Sequence, residues 1–94
     1  MNKTMFSRVY VRVNAIFDED GFVVPKQLIW EDDTVYEIDG ILDIKHAASF
    51  KTGGNGERFT IKICGHRRYL YFERIPDVSG NHIGRWYVEA ARSA

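Results

Sequence analysis

The sequence predicts an all-β fold, one small barrel of about six short, mostly antiparallel strands. Three observations predict it. Apolar residues recur with a period of two, as in Val9, Val11, Val13, Ala15 and Phe17, and that alternation sends successive side chains to opposite faces of a strand. Turn-forming clusters such as Asp18-Glu19-Asp20-Gly21 and Glu31-Asp32-Asp33-Thr34 punctuate the chain at short intervals. No long segment carries the spacing of an amphipathic helix. In so short a chain, closing the sheet on itself is the economical way to remove bare strand edges.

Each element follows in order. The first strand runs from Val9 to Phe17 and is rich in β-branched and aromatic residues. Asp20-Gly21, flanked by apolar runs, signals a hairpin. The second run, Phe22 to Trp30, contains Pro25. Proline cannot donate to a ladder, so this strand lies at an edge or bends there. Tyr36, Ile38, Leu42 and Ile44 mark a third strand, with Gly40 as a bulge or bend that helps a small sheet curl. A glycine-rich loop, Lys51-Thr52-Gly53-Gly54-Asn55-Gly56-Glu57, comes next. On the fourth strand Phe59, Ile61 and Ile63 alternate with Arg58, Thr60, Lys62 and Cys64, and Gly65-His66-Arg67 then reads as a tight turn. The fifth strand, 68–74, puts Tyr69 and Tyr71 on one face and Leu70 and Phe72 on the other. A longer connection from Ile75 to Gly84, containing Pro76, leads to the last strand, Arg85 to Ala90.

The 94 residues suffice for a single domain spanning 1–94. With 45% hydrophobic and 28% charged residues the balance is that of a water-soluble globular protein, and 14% aromatic residues argue against disorder. No apolar run reaches the ~20 residues of a membrane span. The start of the chain is cut by Arg8 and Arg12 and lacks the apolar stretch of a signal peptide. The single Cys64 cannot form an internal disulfide. A cytoplasmic protein with no membrane association is expected.

Zero net charge hides a segregation. Residues 1–17 carry +3, residues 18–44 carry −8, residues 45–74 carry +5, and the remainder is neutral. These segments either form separate faces or neutralise one another between paired strands.

A set of residues resembles a family of short, uncharacterised bacterial proteins with an SH3-like small barrel. The set is Asp20-Gly21, Pro25, Trp30, Tyr36, Ile38-Asp39, Leu42-Asp43, Ala47-Ala48-Ser49, Lys51, Gly53-Gly54, Gly56, Arg58-Phe59, Gly65, Tyr69 to Glu73 and Trp86 to Glu89. The resemblance runs from about Val9 to Glu89 and is most distinctive from Ala47 to Phe59. It implies an SH3-like barrel and marks the glycine loop, and it implies no activity, cofactor or catalytic residue.

Candidate sites centre on 45–74. Successive backbone N–H groups of Gly53, Gly54 and Gly56 could form an anion nest flanked by Lys51 and Arg58, or the glycines could simply supply positive φ to a hairpin loop. A nucleotide-binding P-loop is excluded, because Lys51 precedes the glycines and a strand follows them. Lys62, Arg67 and Arg68 beside Tyr69 and Tyr71 suit a small barrel that stacks bases and holds phosphates. That reading requires Arg58, Lys62, Arg67 and Arg68 to share one face with Tyr69 or Tyr71. A pI near 6.8 weighs against it. Trp30 and Trp86 are core anchors or a protein interface. His46, His66, His82 and Cys64 match no zinc spacing, and Asp18-x-Asp20-Gly21 lacks the closing glutamate of a calcium loop. Cys64 reads as a half-buried thiol on a strand. The expected function is therefore a non-enzymatic binding or accessory module without cofactor or metal. Its partner is a nucleic acid on the basic-aromatic hairpin 51–74 or another protein, including a second copy of the chain.

Overall fold

The computed structural model describes residues 4–46, 56–74 and 84–93. Lys51, Gly53 and Gly54 of the glycine loop, His82, and the connection through Pro76 lie outside the described residues. Seven strands form: β1 (Thr4–Phe17), β2 (Val23–Ile29), β3 (Val35–Glu37), β4 (Gly40–His46), β5 (Gly56–Ile63), β6 (His66–Arg74) and β7 (Gly84–Ser93). They build one antiparallel sheet in the order β3-β2-β1-β7-β6-β5-β4, curled into a half-barrel.

Two long segments turn the corners. β1 pairs with β7 over Thr4 to Val11 and with β2 from Arg12 onward. The third strand of the sequence reading is really two, β3 and β4, which pair at opposite ends of the sheet. The backbone N–H of Ile38 donates to Lys26 of β2, and that of Asp39 donates to Lys62 of β5. The short Ile38-Asp39 link thus ties the two ends of the sheet together at one corner. The strand count is seven rather than six because a single alternating run changes partner midway, and its register slips at Leu42.

Pro25 sits where β2 is irregular and has no paired strand on its outer side. It lies opposite Ala15, where the β1–β2 register shifts, and β3 pairs only with Gln27 to Ile29. The missing N–H therefore faces no ladder, and the ring is fully buried.

Paired residues share a face, so the register sorts the side chains. Phe59, Ile61, Leu70, Phe72 and Leu28 form the inner core, with Val11, Val13, Ile63, Trp86 and Val88 packed against them. The opposite, outer face of β5 and β6 carries Arg58 beside Tyr71, Thr60 beside Tyr69 and Lys62 beside Arg67.

Glu57 is buried on the inner face, next to Phe72. Arg74 Nη2 donates to its Oε1 at 2.5 Å, and its Oε2 is buried without a partner. Arg74→Met is expected to destabilise the fold by about 1–3 kcal/mol, because a buried carboxylate then loses its donor. Adding Glu57→Met should restore most of that loss. Urea unfolding of the two variants checks this, and equal stability of the single variant and the parent refutes it.

The β5–β6 turn is Cys64-Gly65, one residue earlier than the sequence suggested. Ile63 pairs with His66, and both turn residues have positive φ, +52 for Cys64 and +77 for Gly65. That is a two-residue type I′ hairpin, whose first position favours asparagine. Cys64 is therefore exposed in a turn rather than half-buried on a strand. Cys64→Asn is expected to stabilise the domain by about 1 kcal/mol by relieving the left-handed strain. Thermal unfolding measures it, and an unchanged or lower midpoint contradicts it.

Candidate binding face on the β4–β5–β6 hairpins

The outer face divides into two halves of different character. On β1, β7 and the C-terminal half of β6, charges are matched. Glu73 binds Arg8 and Arg85, each at 2.8 Å. Arg85 also lies 4.1 Å from the centre of the Tyr10 ring, and Arg8 lies 4.7 Å from that of Tyr87. Tyr71 and Tyr87 stack with their rings nearly parallel and 4.7 Å apart. The Tyr71 hydroxyl donates to Glu89 at 2.6 Å. Burial, helped by that carboxylate, pushes the Tyr71 phenol well above its usual range. The hydrogen bond and charge of Arg85, with the charge of Arg8, hold Glu73 below the usual carboxylate range. This half is a lattice of arginines and tyrosines that satisfies itself.

The other half does not. Lys45 of β4 lies directly opposite Arg58, and Lys62 of β5 directly opposite Arg67. Like charges facing across strands are unfavourable, yet among the described residues no hydrogen bond or ion pair engages Lys45, Lys62, Arg67 or Arg68. Between the two cationic rows sits Tyr69, about half exposed, with the Arg58 guanidinium 4.4 Å from its ring centre. The Nε of Arg58 is buried and has no acceptor. Lys45, Arg58, Thr60, Arg67, Arg68 and Tyr69 border a surface depression of about 430 Å³ whose acidic member is Asp43.

The structure thus brings Arg58, Lys62, Arg67, Tyr69 and Tyr71 onto one face. Tyr71 is buried against Tyr87, however, and offers no ring to a ligand. Arg68 pairs with Ile61 and belongs to the inner side of β6, although it also lines the depression. Gly56 is a buried strand residue packed against the Phe72 carbonyl, not part of an anion nest. Lys45, at the end of the third predicted strand, was missed as a site residue. Its value comes only from the register that puts it against Arg58.

The −8 and +5 segments meet where β4 pairs with β5, and Asp43 lines the basic depression. Among the described residues no ion pair joins them. Asp33 pairs with Arg12 of β1, and Glu57 with Arg74 inside the basic segment. The acidic turn Asp18–Gly21 closes on itself, with Asp18 Oδ1 accepting from the N–H groups of Asp20 and Phe22.

The tryptophans differ. Trp86 packs on Phe59 and Phe72 in the core, whereas Trp30 is half-buried beside an open cleft between β6 and β7. Exposed Ile16, Phe17 and Phe22 cap the β1–β2 hairpin. Cys64 and His66 both lie at the cleft, and no hydrogen bond joins them. Among the described residues no three potential metal-ligating side chains come together, and no helix is long and apolar enough to cross a membrane. Comparison with known proteins finds no matching family model, curated protein or solved structure.

Proposed function

We propose that this chain is a non-catalytic, SH3-like small-barrel module that binds single-stranded nucleic acid on the outer face of β4, β5 and β6. The observation that carries the reading is the pair of opposed cations, Lys45 across from Arg58 and Lys62 across from Arg67, with no acid partner among the described residues. Such an arrangement costs stability in the free protein and is relieved by an anion with repeating charge. A phosphate backbone has that repeat. Tyr69 lies between the two rows with half its surface free, and an exposed ring beside cations is what base stacking needs. The depression is open and, Asp43 apart, its charged groups are cations, which suits a strand of phosphates better than a reaction centre. A nucleic-acid partner and an exposed single thiol both go with a cytoplasmic setting.

Fluorescence anisotropy with a labelled oligothymidylate at low salt tests the reading. Binding that weakens steeply with salt supports it, and no binding at low salt removes it. An unlabelled duplex of equal length should compete poorly, because its stacked bases cannot reach Tyr69.

A further inference from the structure

We infer that the cleft between β6 and β7 is a docking slot for an extended peptide of alternating apolar and acidic residues, which adds as a strand to the free edge of β6. This site opens toward the inner side of the sheet and shares Arg67, Arg68 and Tyr69 at its rim with the outer face proposed for nucleic acid. β6 and β7 pair only between Tyr71–Arg74 and Gly84–Tyr87. Continuing that register would set Leu70 opposite Val88 and Tyr69 opposite Glu89, but no such pairs form. The outer neighbours stay paired beyond that point, β5 to β6 as far as His66 and β1 to β7 as far as Ser93. The two strands therefore splay, and the facing edges of 66–70 and 88–93 carry backbone donors and acceptors with no ladder partner among the described residues. Inside a sheet, bare edges of this kind are templates for another strand.

The space between them is large and apolar at its floor. It measures about 890 Å³ and reaches down to Leu28 and Ile61 of the core, with half-buried Trp30, Tyr36, Ile63 and Val88 on its walls. An added strand sends every second side chain the same way, so apolar residues would drop onto these walls while the others point out. At the mouth stand Arg67 and Arg68, neither engaged by an acid. The one carboxylate lining the cleft, Glu89, is held by the Tyr71 hydroxyl. The acidic β2–β3 turn does not line it. Outward residues of the added strand meet the Arg67 guanidinium, which faces outward beside Lys62, and acidic side chains satisfy it. Main-chain bonds supply affinity and the alternation supplies selectivity, as in strand addition generally.

The test is an NMR titration of the full chain with a synthetic decapeptide of alternating valine and glutamate. Two controls accompany it, the same peptide methylated on every amide nitrogen and a valine–lysine peptide of equal length. Saturable amide shifts confined to 66–70 and 88–91 are expected with the glutamate peptide, with affinity at least about tenfold weaker for each control. No saturable binding at millimolar peptide overturns the inference, and so does equal binding of the methylated peptide or shifts confined to the β4–β5–β6 outer face. No oligonucleotide enters the experiment, so this inference and the nucleic-acid reading fail independently.

Discussion

Replacing Gly56 with alanine is expected to lower the stability of the domain by about 3 kcal/mol or more, through a backbone overlap added to an unfavourable φ. A Cβ at this position would stand 1.8 Å from the carbonyl oxygen of Phe72 and 2.9 Å from its carbonyl carbon. Those are main-chain atoms of the neighbouring strand, so no rotamer change relieves the clash. The φ of +154° is also one that residues with a side chain rarely adopt. Relief requires β5 and β6 to separate where Gly56 pairs with Glu73 and Glu57 with Phe72, at the end of the inner core. Domains of this size hold only about 5–15 kcal/mol in total. The expected fall in melting temperature is roughly 12 °C or more. Gly40→Ala is the control, because a Cβ there meets nothing within 4 Å, and it should stay within about 0.5 kcal/mol of the parent. Circular dichroism melts of both variants decide the matter. A Gly56→Ala protein as stable as the Gly40→Ala protein would refute this account of the close approach.

The same glycine shows what the sequence could and could not reveal. A glycine at the edge of a hairpin signals positive φ or close packing, and residue type alone does not separate these from an anion nest. The separation needs the Phe72 carbonyl, which lies on a strand reached only through the β5–β6 register. Period-two alternation, by contrast, is local. It correctly sorted Tyr69 and Tyr71 from Leu70 and Phe72, and Arg58, Thr60 and Lys62 from Phe59 and Ile61. What alternation does not carry is the identity of the neighbouring strand. The link at Ile38-Asp39, where one alternating run changes partner, was therefore invisible, as were the splay of β6 from β7 and the position of Lys45 against Arg58. Arg68 erred for a related reason. Adjacent basic residues look like one patch in a sequence, but neighbours on a strand face opposite ways, and Arg68 lies beside Ile61 on the inner side.

Removing Lys62 and Arg67 together should move stability and binding in opposite directions. The two cations stand directly opposite each other, are exposed, and have no acid partner among the described residues. Lys62→Ala with Arg67→Ala therefore relieves a like-charge contact, and the free domain should gain about 0.2–1 kcal/mol. If a phosphate backbone is the natural occupant, each cation also releases counterions on binding. For a single strand, roughly four such contacts give a log–log salt slope near −3, and the double variant should show about half that. At about 50 mM salt one contact is worth roughly eightfold in affinity, so the pair should cost roughly 60-fold. Tyr69→Leu separates the stacking contribution, since it should weaken binding by about 1–3 kcal/mol while leaving the salt slope unchanged. Anisotropy titrations across a salt series measure both quantities, and thermal unfolding of the same samples measures stability. A double variant that binds the oligonucleotide as tightly as the parent, with the same salt slope, would mean that the opposed cations serve something other than a nucleic acid. One that loses binding only because it unfolds would contradict the like-charge argument on which the site rests.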